Sequence, residues 1–203
     1  MQKATFIVCI KAKKHRENLS PALHLRAHLQ ALSSNPVCSP TRATFLTGLL
    51  PSQHGVHSFL DPKFMMGPEA YNTLREFTSL GEVLRDAGYV CGLSGKWHLG
   101  ANLTPSEGFS FWVTKPDGHT KEFYDQEVIE DGKVRKEAGY TTDLWTRKGI
   151  EFIERNQSRP FFLFLAYNGP YVLGPMMNRR ARNRHAAEYK DKHFVSFPVE
   201  PMH

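Results

Sequence analysis

The run "FFLFLAY" at 161–167 constrains the fold more than any other stretch of this chain. It is an apolar strand, and it follows directly on a helical pattern. In "TDLWTRKGIEFIERN", at 142–156, Trp145, Gly149, Phe152 and Ile153 share one helical face, and Arg159-Pro160 separates them from the strand. The same order occurs upstream. "SLGEVLRDAGY" carries a capping-box pattern in Ser79 and Glu82, places Leu80, Val83, Leu84 and Ala87 at helical spacing, and stops at Gly88. The strand "YVCGLS" follows. Helices alternating with short apolar strands predict a layered α/β domain.

The remaining elements fit that scheme. "ATFIVCI" at 4–10 reads as a further buried strand, and "EVIEDGKVRKE" as a hairpin turning at Asp131-Gly132. A helix is expected over Pro40 to Leu46, stopping before Gly48, with Ser39 as N-cap and Pro40 in the first turn, where its missing N–H costs nothing. Residues 11–35 show only weak periodicity. No repeat or low-complexity tract is present, and "SFPVEPMH" ends the chain without a capping element.

Composition narrows the function classes. The 203 residues hold 40% hydrophobic and 23% charged side chains, as in a globular protein. No apolar run approaches the roughly 20 residues of a membrane helix, and the start has no convincing secretory leader. The net charge of +6 is concentrated before residue 35, where Lys3, Lys11, Lys13, Lys14, Arg16 and Arg26 face Glu17 alone. That segment and "NRRARNRH" at 178–185 read as solvated, because neither regular charge spacing nor interleaved aromatics mark a nucleic-acid surface. Cys9, Cys38 and Cys91 are odd in number and far apart, so neither a disulfide framework nor a CxxC metal pair is indicated. Cys9 and Cys91 fall in strand-like stretches and read as small buried hydrophobes.

Cys38 is placed differently. It stands at the expected start of a helix, where unpaired N–H groups and the dipole favour a thiolate or a bound oxyanion. Arg42 follows one turn later and reaches back toward the same point. In "GKWHLG", Lys96 and His98 lie two apart in a chain leaving a strand, and point to one side while Trp97 points into the core. A lysine for anionic charge and a histidine for proton transfer suit a nucleophile's surroundings. Loops at the C-terminal ends of such strands are where α/β sheets bind ligands. Among the other conspicuous residues, His54 and His57 read as loop structure, and Met65, Met66, Phe111 and Trp112 as packing.

These two stretches resemble the type I sulfatases. "CSPTRATFLTG" at 38–48 has their C-x-P-x-R-x-x-x-x-T-G signature, and "GYVCGLSGKWHLG" is similar to their second signature, about fifty residues on. "LLPSQHGV" and "FIERNQSRPFFLFLAYNGP" also look like this family. The resemblance covers residues 34–203 as a partial sulfatase catalytic domain, truncated at its C-terminus. Residues 1–33 form a divergent basic segment that reads as frame-shifted or mis-started.

The resemblance implies an incomplete alkaline-phosphatase-like α/β/α sandwich and hydrolysis of sulfate esters, of a sulfated carbohydrate or an aryl sulfate. It implies that a separate maturation enzyme oxidises Cys38 to formylglycine, whose hydrated aldehyde attacks sulfur and then expels sulfate. Formylglycine at Cys38 would also ligate one calcium ion. Arg42 would hold the modified side chain, Lys96 would bind it and the sulfate, and His98 would hydrogen-bond the hydrate. A periplasmic or secreted setting is implied as well. The chain departs from the family where an Asp pair normally ends the first strand, since "KAKKHRENLS" stands there and no Asp precedes Asp61. The downstream acidic metal ligands are missing too, so the fragment is expected to be weak or inactive. Tyr171 stands where the family often has a histidine. A phosphonate or phosphodiester hydrolase of the same superfamily stays open, as does a non-catalytic remnant with a polyanion-binding arm.

Overall fold

The computed structural model describes residues 7–11, 35–120, 122–168, 185–189 and 191. Residues 4–6 of the expected first strand, the side chain of Cys9, Tyr171 and the basic run up to residue 184 lie outside them. The elements are β1 (Ile7–Lys11), α1 (Cys38–Thr47), α2 (Pro51–His54), a 3-10 turn (Pro62–Phe64), α3 (Leu80–Asp86), β2 (Val90–Gly95), β3 (Phe111–Thr114), β4 (Gln126–Glu130), β5 (Lys133–Glu137), α4 (Thr141–Arg155), β6 (Phe161–Ala166) and the single turn α5 (Ala186–Tyr189). Among the described residues no helix is long and apolar enough to cross a membrane.

Six strands form one mixed sheet in the order β1-β6-β2-β3-β4-β5. The centre is parallel, with β2 between β6 and β3, and the β3–β4, β4–β5 and β1–β6 pairs are antiparallel. The apolar run in β6 explains this placement. Phe162, Phe164 and Ala166 enter a core with Trp97, Leu93 and Ala43, while Phe161, Leu163 and Leu165 enter a second core with Trp145, Phe152 and Leu144. A strand buried on both faces belongs in the middle of a three-layer sandwich. Here α4 covers one face, and α1 and α3 cover the other. Phe162, Leu163 and Phe164 are each 0% exposed, so truncating any one would cost about 2–5 kcal/mol.

Local patterns account for most boundaries. Ser79 and Glu82 form the expected reciprocal cap: Ser79 Oγ accepts from Glu82 N at 3.2 Å, and Ser79 N donates to Glu82 Oε2 at 3.0 Å. The helix is seated differently from its apolar spacing. Leu80 and Leu84 pack on the core, but Val83 is exposed, because Gly81 presses against the Glu107 carbonyl and turns that edge inward. On α4, Trp145, Gly149 and Phe152 are buried and Ile153 is partly buried, as expected. The β4–β5 hairpin turns at Asp131-Gly132, both with positive φ.

The direction of β1 has a consequence for the site. Ile7 pairs with Leu165 and Lys11 with Phe161, so β1 runs down β6. The chain therefore leaves β1 at the end of the sheet opposite the C-terminal ends of β2 and β6.

Candidate functional site

The four residues of the two motifs meet where β2 ends. Cys38 is the first residue of α1, and Val37, with extended backbone (φ −99°, ψ 146°), occupies the N-cap position. This corrects both the expected start at Pro40 and the expected Ser39 cap. The reason is local: Asn35 Oδ1 accepts from Val37 N at 2.8 Å, and Thr41 Oγ1 donates to Val37 O at 2.8 Å, which closes the helix entrance early. Pro40 still falls within the first turn, where no N–H is needed. Ser39 is buried instead, and its Oγ accepts from Leu60 N at 3.3 Å.

The other half of the site is set by the exit from β2. Lys96 N donates to Ala166 O at 2.8 Å, so β2 and β6 stay paired up to the point of departure. Gly95 has φ 119°, and a Cβ there would lie 2.1 Å from Ala166 O, so no other residue fits. Trp97 then turns into the core, donating from Nε1 to Gly100 O at 2.9 Å and lying edge-on to Trp112. With Trp97 anchored inward, Lys96 and His98 flank it in the chain, both buried; His98 has left-handed backbone, so the extended geometry assumed for the pair is not kept. The Lys96 side chain hydrogen-bonds that of Cys38, and the Arg42 guanidinium donates to the Lys96 carbonyl.

These groups are unusually dry for their polarity. Arg42 and Lys96 are each 2% exposed and His98 is 1% exposed. Burial is the main reason that the Lys96 ammonium is pushed down to about 7; Arg42 and Lys115 add like charge, while Cys38 pulls the other way. His98 is driven far below the ordinary imidazole range, first by burial and then by Lys96, Arg42 and His119. It is therefore a neutral imidazole at physiological pH. Both ring nitrogens are buried without a well-formed hydrogen bond, although the Leu60 backbone lies alongside. His98 also has φ 61°, a left-handed conformation that few side chains adopt without compensation.

Three residues of this neighbourhood carried no sequence motif. His119 lies edge-on to His98 with ring centroids 5.4 Å apart. Gly118 presses on the same imidazole, with space for no side chain. Lys115 is 3% exposed; its Nζ donates to His119 O at 2.8 Å and lies 3.5 Å from Asp117 Oδ1. Only the contact between loops identifies them. By contrast, His54 is structural: its Nδ1 accepts from Val56 N at 3.1 Å, and its Nε2 lies 3.0 Å from Thr44 Oγ1. Cys91 is buried as expected, and desolvation raises its thiol to about 11.

The arrangement is suited to an anion. Cys38 at a helix N-terminus meets the Lys96 side chain, the Arg42 guanidinium bonds the Lys96 carbonyl, and the neutral His98 lies within electrostatic reach of Lys96 and Arg42. Among the described residues, no three His, Cys, Asp or Glu side chains converge as a metal would require. A hard cation such as calcium takes six to eight oxygen ligands, and this cationic cluster does not provide them.

The sequence family model for sulfatases matches residues 23–193. The chain belongs to the sulfatase family. It is 31% identical to an N-acetylglucosamine-6-O-sulfatase of Bacteroides thetaiotaomicron over 68% of its own length and 23% of that protein. It is 29% identical to the N-acetylgalactosamine-6-sulfatase of Canis lupus familiaris, covering 75% of this chain and 35% of the relative. Among solved structures it is similar to BT4656 in complex with its substrate D-glucosamine-2-N,6-O-disulfate, with a TM-score of 0.57 and 29% identity over 83% of this chain and 30% of that one. This sulfatase chain thus spans less than two fifths of the length of these relatives. Its mixed sheet with flanking helices is part of the sulfatase α/β fold.

Proposed function

We propose that this chain carries the sulfate-handling half of a sulfuric ester hydrolase acting on a sulfated carbohydrate, with Cys38 as the residue matured to formylglycine. The observation that supports this most is the meeting of Cys38, Arg42 and Lys96, with the neutral His98 near Lys96 and Arg42, in a family whose named relatives include sulfatases of N-acetylhexosamines. Cys38 in its oxidised, hydrated form would supply the hydroxyl that attacks sulfur.

The chain's own residues have separable tasks. Lys96, close to half-protonated at neutral pH, gains its proton as an anion enters, and then neutralises charge on the sulfuryl oxygens. Arg42 holds the Lys96 carbonyl and so fixes the loop relative to α1. His98, neutral and buried, can donate from one nitrogen and accept at the other, which suits holding the hydroxyl of residue 38 in one orientation. The described residues offer calcium too few oxygen ligands, and those would have to come from elsewhere in the protein.

The test is to co-express the chain with a formylglycine-generating enzyme and to weigh the tryptic peptide 27–42. The expected result is conversion of the Cys38 CH2SH group to CHO, abolished by Cys38→Ala. The matured protein is then assayed against a 6-sulfated N-acetylhexosamine and against a phosphodiester. A thiol that stays unmodified overturns the role of Cys38, and faster phosphodiester cleavage overturns the substrate class.

A further inference from the structure

If the Cys38 cluster takes the sulfate, as proposed above, the alcohol part of the ester must be recognised by whatever stands at the rim. One rim residue is conspicuous. Phe59 is 54% exposed, in the loop between α2 and the 3-10 turn. Isolated exposed apolar side chains are ordinary, but this ring is not isolated. It lies edge-on to His119 with centroids 5.5 Å apart, and His119 lies edge-on to His98 at 5.4 Å. The three rings form a row from the buried imidazole out to solvent. The next residue, Leu60, is tied to Ser39 beside Cys38, which fixes the Phe59 loop against the start of α1.

An aromatic face fixed by edge contacts and open to water is suited to stack against the apolar face of a sugar ring, with little ordering cost on binding. We infer that Phe59, positioned by His119, is the platform on which the pyranose ring of the sulfate ester rests, and that it makes this site prefer sugar sulfates to small alkyl sulfates. This rests on the reading of the Cys38 cluster as a sulfate-ester site. His119 acts through Phe59 and is a positioning residue.

The experiment uses the full chain with its native thiol and measures binding, not turnover. Inorganic sulfate, methyl sulfate, N-acetylglucosamine 6-sulfate and 4-nitrophenyl sulfate are titrated calorimetrically into wild type, Phe59→Ala and Phe59→Trp. Phe59→Ala is expected to weaken the sugar sulfate about tenfold, to leave inorganic and methyl sulfate unchanged, and Phe59→Trp to keep wild-type affinity. Equal weakening of all four ligands, or of none, overturns the platform. A greater dependence of 4-nitrophenyl sulfate than of the sugar on Phe59 overturns the sugar assignment. If wild type binds no sulfate at all, the anion site itself falls, and that result is distinct from sulfate binding without discrimination by Phe59.

Discussion

Gly118→Ala isolates the packing that holds His98. Gly118 does not have positive φ, so alanine brings no backbone strain, and only the new methyl group matters. That methyl would lie 1.8 Å from His98 Cδ2 and 1.9 Å from Nε2. An ordinary contact is near 3.5–4 Å, so ring or loop must move by about 1.5–2 Å. His98 is 1% exposed, with His119 against it, and has little room to yield. Overpacking of this kind costs about 1–3 kcal/mol. For a chain of this size each kcal/mol lowers Tm by about 2–4 °C, so a fall of roughly 2–12 °C is expected in calorimetry. The decisive comparison is a double-mutant cycle with His98→Ala, which removes the ring that the methyl strikes. Gly118→Ala should then cost little in the His98→Ala background, with a coupling of about 1–3 kcal/mol. If Gly118→Ala melts like wild type, or costs the same in both backgrounds, then Gly118 does not brace His98.

Four further outcomes follow from the structure. Sulfate affinity should fall as pH rises above about 7, by up to tenfold per unit, because Lys96 must be protonated to hold the anion; Lys96→Met should flatten the profile measured by calorimetry. Stability of the ligand-free chain should change in the opposite sense. The folded state releases the Lys96 proton near 7 while the unfolded state keeps it to about 10.4, so this group favours folding increasingly across that window. Cys91, with its thiol raised to about 11 and 1% exposed, should resist iodoacetamide until the protein unfolds, whereas the half-buried Cys38 should be alkylated in the native state, as peptide mass analysis would show. Ser79→Ala removes the α3 cap and should cost about 1 kcal/mol in urea unfolding, and Ser79→Asp should not recover it, because Ser79 is buried and its Oγ also donates to Glu107 O at 3.2 Å, which a carboxylate cannot do.

The sequence made different parts of this molecule legible to different degrees. Apolar β6 and the patterned α4 were readable because burial on one or both sides leaves a direct imprint on residue order. Cys38, Arg42, Lys96 and His98 could be singled out because two motifs carry them, and the structure brings them together, with Trp97 turned into the core. The helix start was misplaced by two residues, since Ser39 is a better cap by residue type than Val37. Asn35 and Thr41 decide the matter through hydrogen bonds that no spacing rule anticipates. Gly118, His119 and Lys115 left no trace in the order of residues, because their contribution is contact between a loop after β3 and one after β2. The antiparallel direction of β1 was equally hidden; an apolar pentapeptide pairs either way.

The anchoring of Trp97 carries a wider implication. By drawing the indole indoors, the chain also draws in an ammonium on one side and an imidazole on the other, and these are polar groups that would be more stable in water. The site is thus held at the expense of conformational stability, and a sequence chosen for stability alone would replace Lys96 and His98 with aliphatic residues. Thermostable variants selected without regard to binding should accumulate such replacements first. Their positions would mark out the anion site independently of any assay.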